Sequence, residues 1–211
     1  APVLDARVVR GRPIAFARYQ GYGANLPQFQ QATLGAGHFT PLVDEDGIIR
    51  RVPMLAEYKG EYYEPLSLAV FRALAGQPKG EAGFAPEGRF LARGYAGLEW
   101  LEVGPRRIPL AANAAALVPY RGKVRSFPYV SAADLFHDRG PVERIKGRVV
   151  LVGASAPGLV DLRATPVGTA YPGVEIHANL IAGMLDGSIK QRPAYVVGAE
   201  VLLLLAFGLT L

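Results

Sequence analysis

Cysteine is absent from the 211 residues, which excludes a disulfide framework, a thiolate metal site and a cysteine nucleophile. Clustered positive charge is missing too. The formal net charge of +5 comes from arginines scattered singly or in pairs, such as Arg50 with Arg51 and Arg106 with Arg107. Without a basic run or interleaved aromatics, that charge argues against a nucleic-acid partner. No signal-peptide pattern opens the chain, and Ala1 rather than Met stands first, so the expectation is a piece cut from a longer protein. No fixed-period repeat is visible, which excludes a solenoid or propeller.

Half of the residues are hydrophobic and 19% are charged, with 25 Gly and 17 Pro spread along the chain. This is the composition of one folded domain of many short elements joined by turns, plus a tail. The tail is the run AYVVGAEVLLLLAFGLTL at 194–211, where Glu200 is the one ionisable group. A spanning helix needs about 20 such residues. Residues 1–193 are therefore expected to form the domain and 194–211 the beginning of a transmembrane helix. A buried core helix is the alternative, disfavoured because a helix of a soluble domain keeps a polar face. Lys190 and Arg192 precede the run, which by charge alone points this end to the cytoplasm. Long domains translocate largely regardless of such charges.

Local patterns predict the elements. PIAFARY at 13–19 reads as a strand and PQFQQA at 27–32 as a short helix with Pro27 in its first turn. In HFTPLVDEDGIIRRVPML, β-formers flank Asp46 and Gly47, so a hairpin is expected with strands at 38–43 and 48–58. Residues 65–75 predict a helix with Leu66, Val70 and Leu74 on its buried stripe, ended by Gly76. Residues 76–88 read as a surface linker loop. Strand candidates follow at 89–103, 107–110 and 117–122. Ser131 caps a helix through Phe136 with Asp134 in its first turn, and a helical turn fits 142–145. RVVLVG at 148–153 has the length and β-branched content of a strand buried on both faces. A 20-residue loop, 154–173, then leads to a helix at 174–186 stopped by Gly187. The class expected is α/β, a mixed or mostly parallel sheet flanked by helices, with a β-hairpin.

A long polar-dotted loop at the carboxyl end of a buried strand is where α/β sheets bind ligands. The candidate ligand-binding residues there are Ser155, Asp161, Arg163, Thr165, Glu175, His177 and Asn179. The competing role for such groups is to satisfy loop backbone and cap the next helix. Ser155, Asp161 and His177 follow the Ser, Asp, His order of α/β-hydrolases, but Gly153 and Gly158 do not flank Ser155 at the spacing a nucleophile elbow needs. No catalytic residue is expected. GASAPG lacks the lysine of a phosphate-binding loop and the glycine spacing of a dinucleotide fingerprint, and nothing else implies a cofactor. Asp44, Glu45, Asp46 and Gly47 resemble the start of a calcium loop, yet Leu55 stands where a bidentate Glu is required. His38, His137 and His177 are too dispersed to imply a metal site. His177, in the first turn of its helix, is expected to be neutral at pH 7 because the helix dipole lowers its pKa.

Three stretches together carry a resemblance: GAGHFTPLVDEDGIIRRVPML at 35–55, VSAADLF at 130–136, and KGRVVLVGASAPGLVDLRATPVGTAYPGVEIHANLIAGML at 146–185. Over residues 10–190 the chain resembles the type two CHASE domain, an extracellular sensory module found with bacterial nucleotide cyclases, histidine kinases and serine/threonine kinases. The resemblance implies an extracellular or periplasmic signal-input domain of a membrane receptor, with an unidentified small-molecule or ionic ligand and a homodimeric assembly. It also implies a transmembrane helix and a first α/β portion before this piece, and further membrane helices and a cytoplasmic output domain after it. A membrane-anchored hydrolase using the 153–177 loop and a partner-binding ectodomain without a small ligand are the alternatives.

Overall fold

The computed structural model describes residues 2–85, 97–155, 161–191 and 195–210. The clearest local prediction is realised at Asp46 and Gly47. Strands β2 (Leu42–Val43) and β3 (Ile49–Pro53) form an antiparallel hairpin, closed by Gly47 N–H donating to the Asp44 carbonyl at 2.8 Å with Gly47 at φ +78°. That φ suits glycine because a Cβ there would be strained. The turn carboxylates are engaged by cations. Arg50 Nη1 donates to Asp44 Oδ2 at 2.8 Å, Arg50 Nη2 to Asp46 Oδ2 at 2.7 Å, and Arg51 Nη1 to Asp44 Oδ1 at 3.1 Å. The acidic cluster is an arginine-bound turn.

The predicted strand at 48–58 breaks at Met54 and Leu55, both buried in the core. β3 pairs on its other side with β9 (Ala115–Leu117), and the chain re-enters as β4 (Ala56–Tyr58) in a different sheet. There β4 runs parallel to β1 (Ala17–Arg18) and antiparallel to β5 (Glu61–Tyr63). Lys59 and Gly60, at φ +52° and +81°, make the two-residue turn between β4 and β5, a conformation matched to strand twist. Sequence reading missed this turn because Lys is not a usual residue for positive φ.

Helix α1 (Pro27–Ala32) forms as expected, and α2 (Leu66–Leu74) lies within the predicted span. Its buried face differs. Ser67, Leu68 and Phe71 point inward while Leu74 is 51% exposed, so the expected Leu66, Val70, Leu74 stripe flanks the buried face and leaves it at the last turn. The supposed linker 76–88 holds β6 (Gly80–Phe84), which pairs with β7 (Leu98–Val103); β8 (Arg106–Pro109) completes that antiparallel sheet. Residues 89–96 of the expected strand run lie outside the described residues. Helix α3 (Ala132–Phe136) begins where Ser131 Oγ accepts the Asp134 amide at 3.4 Å, and residues Val142–Arg144 form a single 3-10 turn.

Two expectations around residue 150 are overturned. RVVLVG is not a strand: Val149 and Val150 are half exposed, Val152 is 89% exposed, and residues 149–155 make no backbone hydrogen bond among the described residues. β-propensity expresses a fit to neighbouring strands, and no described strand pairs with this run. The loop after it is also not featureless. It contains the hairpin β10 (Leu162–Thr165) with β11 (Gly168–Pro172), which leads directly into α4 (Gly173–Asp186). Gly187 ends that helix at φ +67°, as predicted. The class is mixed α/β, with four small sheets among the described residues. The parallel strand pair among the described residues is β1–β4, so a mostly parallel sheet is not what forms.

One continuous core links these pieces. Leu68 and Phe71 of α2, Val52 of β3, Leu98 and Leu101 of β7, and Ile176, Leu180 and Met184 of α4 all belong to it. α2 packs along α4. The last helix, α5 (Tyr195–Thr210), is outside that core: Leu202, Leu203, Leu204, Leu205, Phe207 and Leu209 are all exposed. Its 16 residues span about 24 Å, less than the ~30 Å of a bilayer's hydrocarbon. No helix among the described residues is long and apolar enough to cross a membrane.

Candidate functional site

The start of α4 is positioned by two close approaches that only glycine permits. A Cβ on Gly173 would collide with the Asp161 carboxylate, and one on Gly153 with the side chain of Val174. Gly173 N–H donates to the Asp161 carbonyl at 2.8 Å. Residues 150–153 and 161–163 are thereby drawn against the first turn of α4. A third glycine does the same for α2. Gly37 sits on the backbone of Pro65 and Leu66, His38 N–H donates to the Glu64 carbonyl at 3.0 Å, and Leu66 N–H donates to the His38 carbonyl at 2.7 Å.

Between these segments lies a cleft of ≈ 400 Å³. Phe39, Pro41, Leu66, Val70, Val174 and Ile176 supply apolar wall, Val52 lies at its base, and residues 150–153 close one side. Among the described residues, the charged or polar side chains that line it are Asp161, Arg163 and His177. Arg163 Nε stands 3.9 Å from Asp161 Oδ1. His177 is 6% exposed and its Nδ1 has no hydrogen-bond partner among the described residues, a costly state for a buried polar atom. An apolar cavity of this size with a few convergent polar groups is the usual form of a small-molecule site.

Burial lowers the pKa of His177, opposed by the carboxylate of Asp161. The direction agrees with the sequence expectation, but desolvation rather than the helix dipole is the cause. His38 is lowered further, to about 4, by burial and by the proximity of His177, against a rise from the Pro53 carbonyl. Neither of its ring nitrogens makes a hydrogen bond of good geometry among the described residues. The fold thus brings together two imidazoles that lie 139 residues apart in sequence. His137 is elsewhere, exposed at the end of α3 against the Phe136 ring. No group of three or more metal-ligating side chains occurs among the described residues.

Of the remaining candidates, Glu175, Asn179 and Thr165 bond within the protein. Glu175, 2% exposed, accepts from the Arg125 amide at 3.1 Å, the Ser126 amide at 2.9 Å and the Tyr129 hydroxyl at 2.7 Å. Asn179, fully buried, accepts from the Arg121 amide at 2.9 Å and donates to the Tyr171 hydroxyl at 2.9 Å and the Glu175 carbonyl at 2.7 Å. Together they hold segment 121–129 across α4. Thr165 Oγ1 donates to the Gly168 carbonyl at 3.0 Å inside the β10–β11 turn. Ser155 is exposed and does not line the cleft, while Pro157 and Gly158 lie outside the described residues. Sequence reading missed Phe39 and the α2 wall. The available signal was Gly37 before His38, a glycine whose missing side chain permits backbone contact with α2.

A family model described as CHASE2 domain matches residues 5–211. No curated protein and no solved structure matches the chain.

Proposed function

Because the chain belongs to the CHASE2 family, a family of extracellular sensory domains, we propose that it is the signal-input domain of a membrane receptor. It regulates a cytoplasmic nucleotide cyclase or protein kinase and works as a homodimer. The observation that carries this reading is the family match over nearly the whole chain. Supporting it, α5 is apolar but for Glu200 and exposes Leu202, Leu203, Leu204, Leu205 and Leu209, the character of a helix whose environment is lipid. We read it as the beginning of a transmembrane helix, with residues 1–193 on the extracellular or periplasmic side.

The ligand site is the cleft lined by Asp161, Arg163 and His177. It touches the first turn of α4, and only residues 187–194 separate α4 from α5. A ligand that favours one packing of α4 over another would bias α5 by its differential affinity for the two. The chain itself is a sensor and not a catalyst, in keeping with the family.

The absence of cysteine from these 211 residues allows a direct test of sidedness. Leu34, 83% exposed, is replaced as Leu34→Cys in the full-length receptor, and intact cells are treated with a membrane-impermeant maleimide. Labelling above the unsubstituted receptor is expected without lysis. Labelling that appears only after lysis would sink the extracellular assignment. In isolated membranes, Val152→Trp, which fills the cleft from an 89% exposed position, is expected to abolish the ligand response of the output activity.

A further inference from the structure

The polar end of the cleft carries opposite charges side by side. Arg163 and Asp161 are separated by 3.9 Å, with side-chain exposures of 40% and 36%. That distance exceeds the 2.7–3.2 Å of a hydrogen bond, so the carboxylate retains free acceptor positions and the guanidinium free donors. Beside them is His177, whose Nδ1 has no hydrogen-bond partner among the described residues. The first-turn amides of α4 at Val174 and Glu175 have no acceptor within the helix, as at any helix start, and Pro172 offers no side-chain cap. The other described residues that line the cavity are apolar.

This arrangement selects by charge. Asp161 repels a ligand that is only anionic, Arg163 one that is only cationic, and a wholly apolar ligand leaves both charges without a partner. A zwitterionic head on an apolar tail satisfies both. We propose that the cleft binds a free apolar α-amino acid, its ammonium on Asp161, its carboxylate on Arg163 and the α4 first-turn amides, and its side chain against Phe39, Leu66 and Val70. The proposal rests on the reading of this cleft as the ligand site and adds the chemical class of the ligand. Its ≈ 400 Å³ lies at the small end of ligand cavities, about 300–1,000 Å³, in keeping with one amino acid rather than a peptide.

Isothermal titration calorimetry of the full chain with L-leucine and L-phenylalanine tests it. Three analogues each remove one feature: N-acetyl-L-leucine the ammonium, L-leucinamide the carboxylate, and glycine the tail. Binding of leucine or phenylalanine is expected, with each analogue and each of Asp161→Asn and Arg163→Gln weaker by about 10- to 100-fold. Equal affinity for N-acetyl-L-leucine or L-leucinamide, or unchanged affinity in both variants, overturns the proposal. If neither amino acid binds, a thermal-shift screen of metabolites on wild type and Val152→Trp separates the two readings. A stabilising compound whose effect Val152→Trp abolishes overturns only the amino-acid assignment. One whose effect survives that substitution, or no stabilising compound at all, overturns the cleft as well.

Discussion

Buried polar side chains divide into those whose bonds are complete and those left open, and the two groups respond differently to change. Glu175 holds two backbone amides and a tyrosine hydroxyl. Glu175→Ala leaves all three buried donors without an acceptor, so a loss of about 2–4 kcal/mol is expected in urea denaturation. His38 and His177 are open, and their lowered pKa values tie stability to acid. For a histidine depressed from its ordinary value near 6.5, the unfolded chain takes up a proton first. Stability is therefore full above about pH 6.5 and is lost as pH falls toward the folded value, about 4 for His38. The groups facing the pair are each other, Asp161 and the Pro53 carbonyl, with the Tyr19 ring 6.0 Å from His38. Asp161 moderates the effect at His177. The expected loss from His38 is at most on the order of 3 kcal/mol, and His38→Phe should flatten melting temperature against pH between 6.5 and 4. An unchanged slope would refute the assignment.

Among the elements, the helices show how far periodicity reaches. Leu180 of α4 is fully buried and Leu74 of α2 is half exposed, although both sit on apolar stripes in the sequence. Leu180→Ala is expected to destabilise by about 2–5 kcal/mol and Leu74→Ala by under about 0.5 kcal/mol, compared by chemical denaturation. Stripe and face differ in α2 because Ser67, Leu68 and Phe71, not Leu74, are buried. The junction of β11 with α4 depends on close approach. Gly173→Ala would push the Asp161 carboxylate out of place, and ligand affinity should fall by more than stability does. Ser131, Gly47 and Gly187 were legible in sequence because caps and tight turns are made by a residue and its near neighbours.

At the scale of the whole molecule, protection is uneven. The β6–β7–β8 sheet and α4 contribute Leu98, Leu101, Ile108 and Leu180 to the core. Residues 149–155 form no backbone hydrogen bond among the described residues. Native-state hydrogen exchange should therefore find amides 149–153 exchanging fast, while those of β7 and α4 persist to near global unfolding. Slow exchange at Val150 and Val152 would show that this run is paired in solution. The sequence by itself determined the local pieces: the hairpin at Asp46 and Gly47, the capped start of α3, α4 with its glycine stop, the apolar C-terminal helix and the family. It also pointed to the 153–177 region, where Asp161, Arg163 and His177 do meet. Tertiary structure alone decided that RVVLVG stays unpaired, that 76–88 contains a strand, that His38 comes beside His177, and that Glu175 and Asn179 face inward to hold segment 121–129. The reason is physical: caps and tight turns are set within a few residues, whereas strand pairing and cavity lining depend on which distant segment arrives alongside.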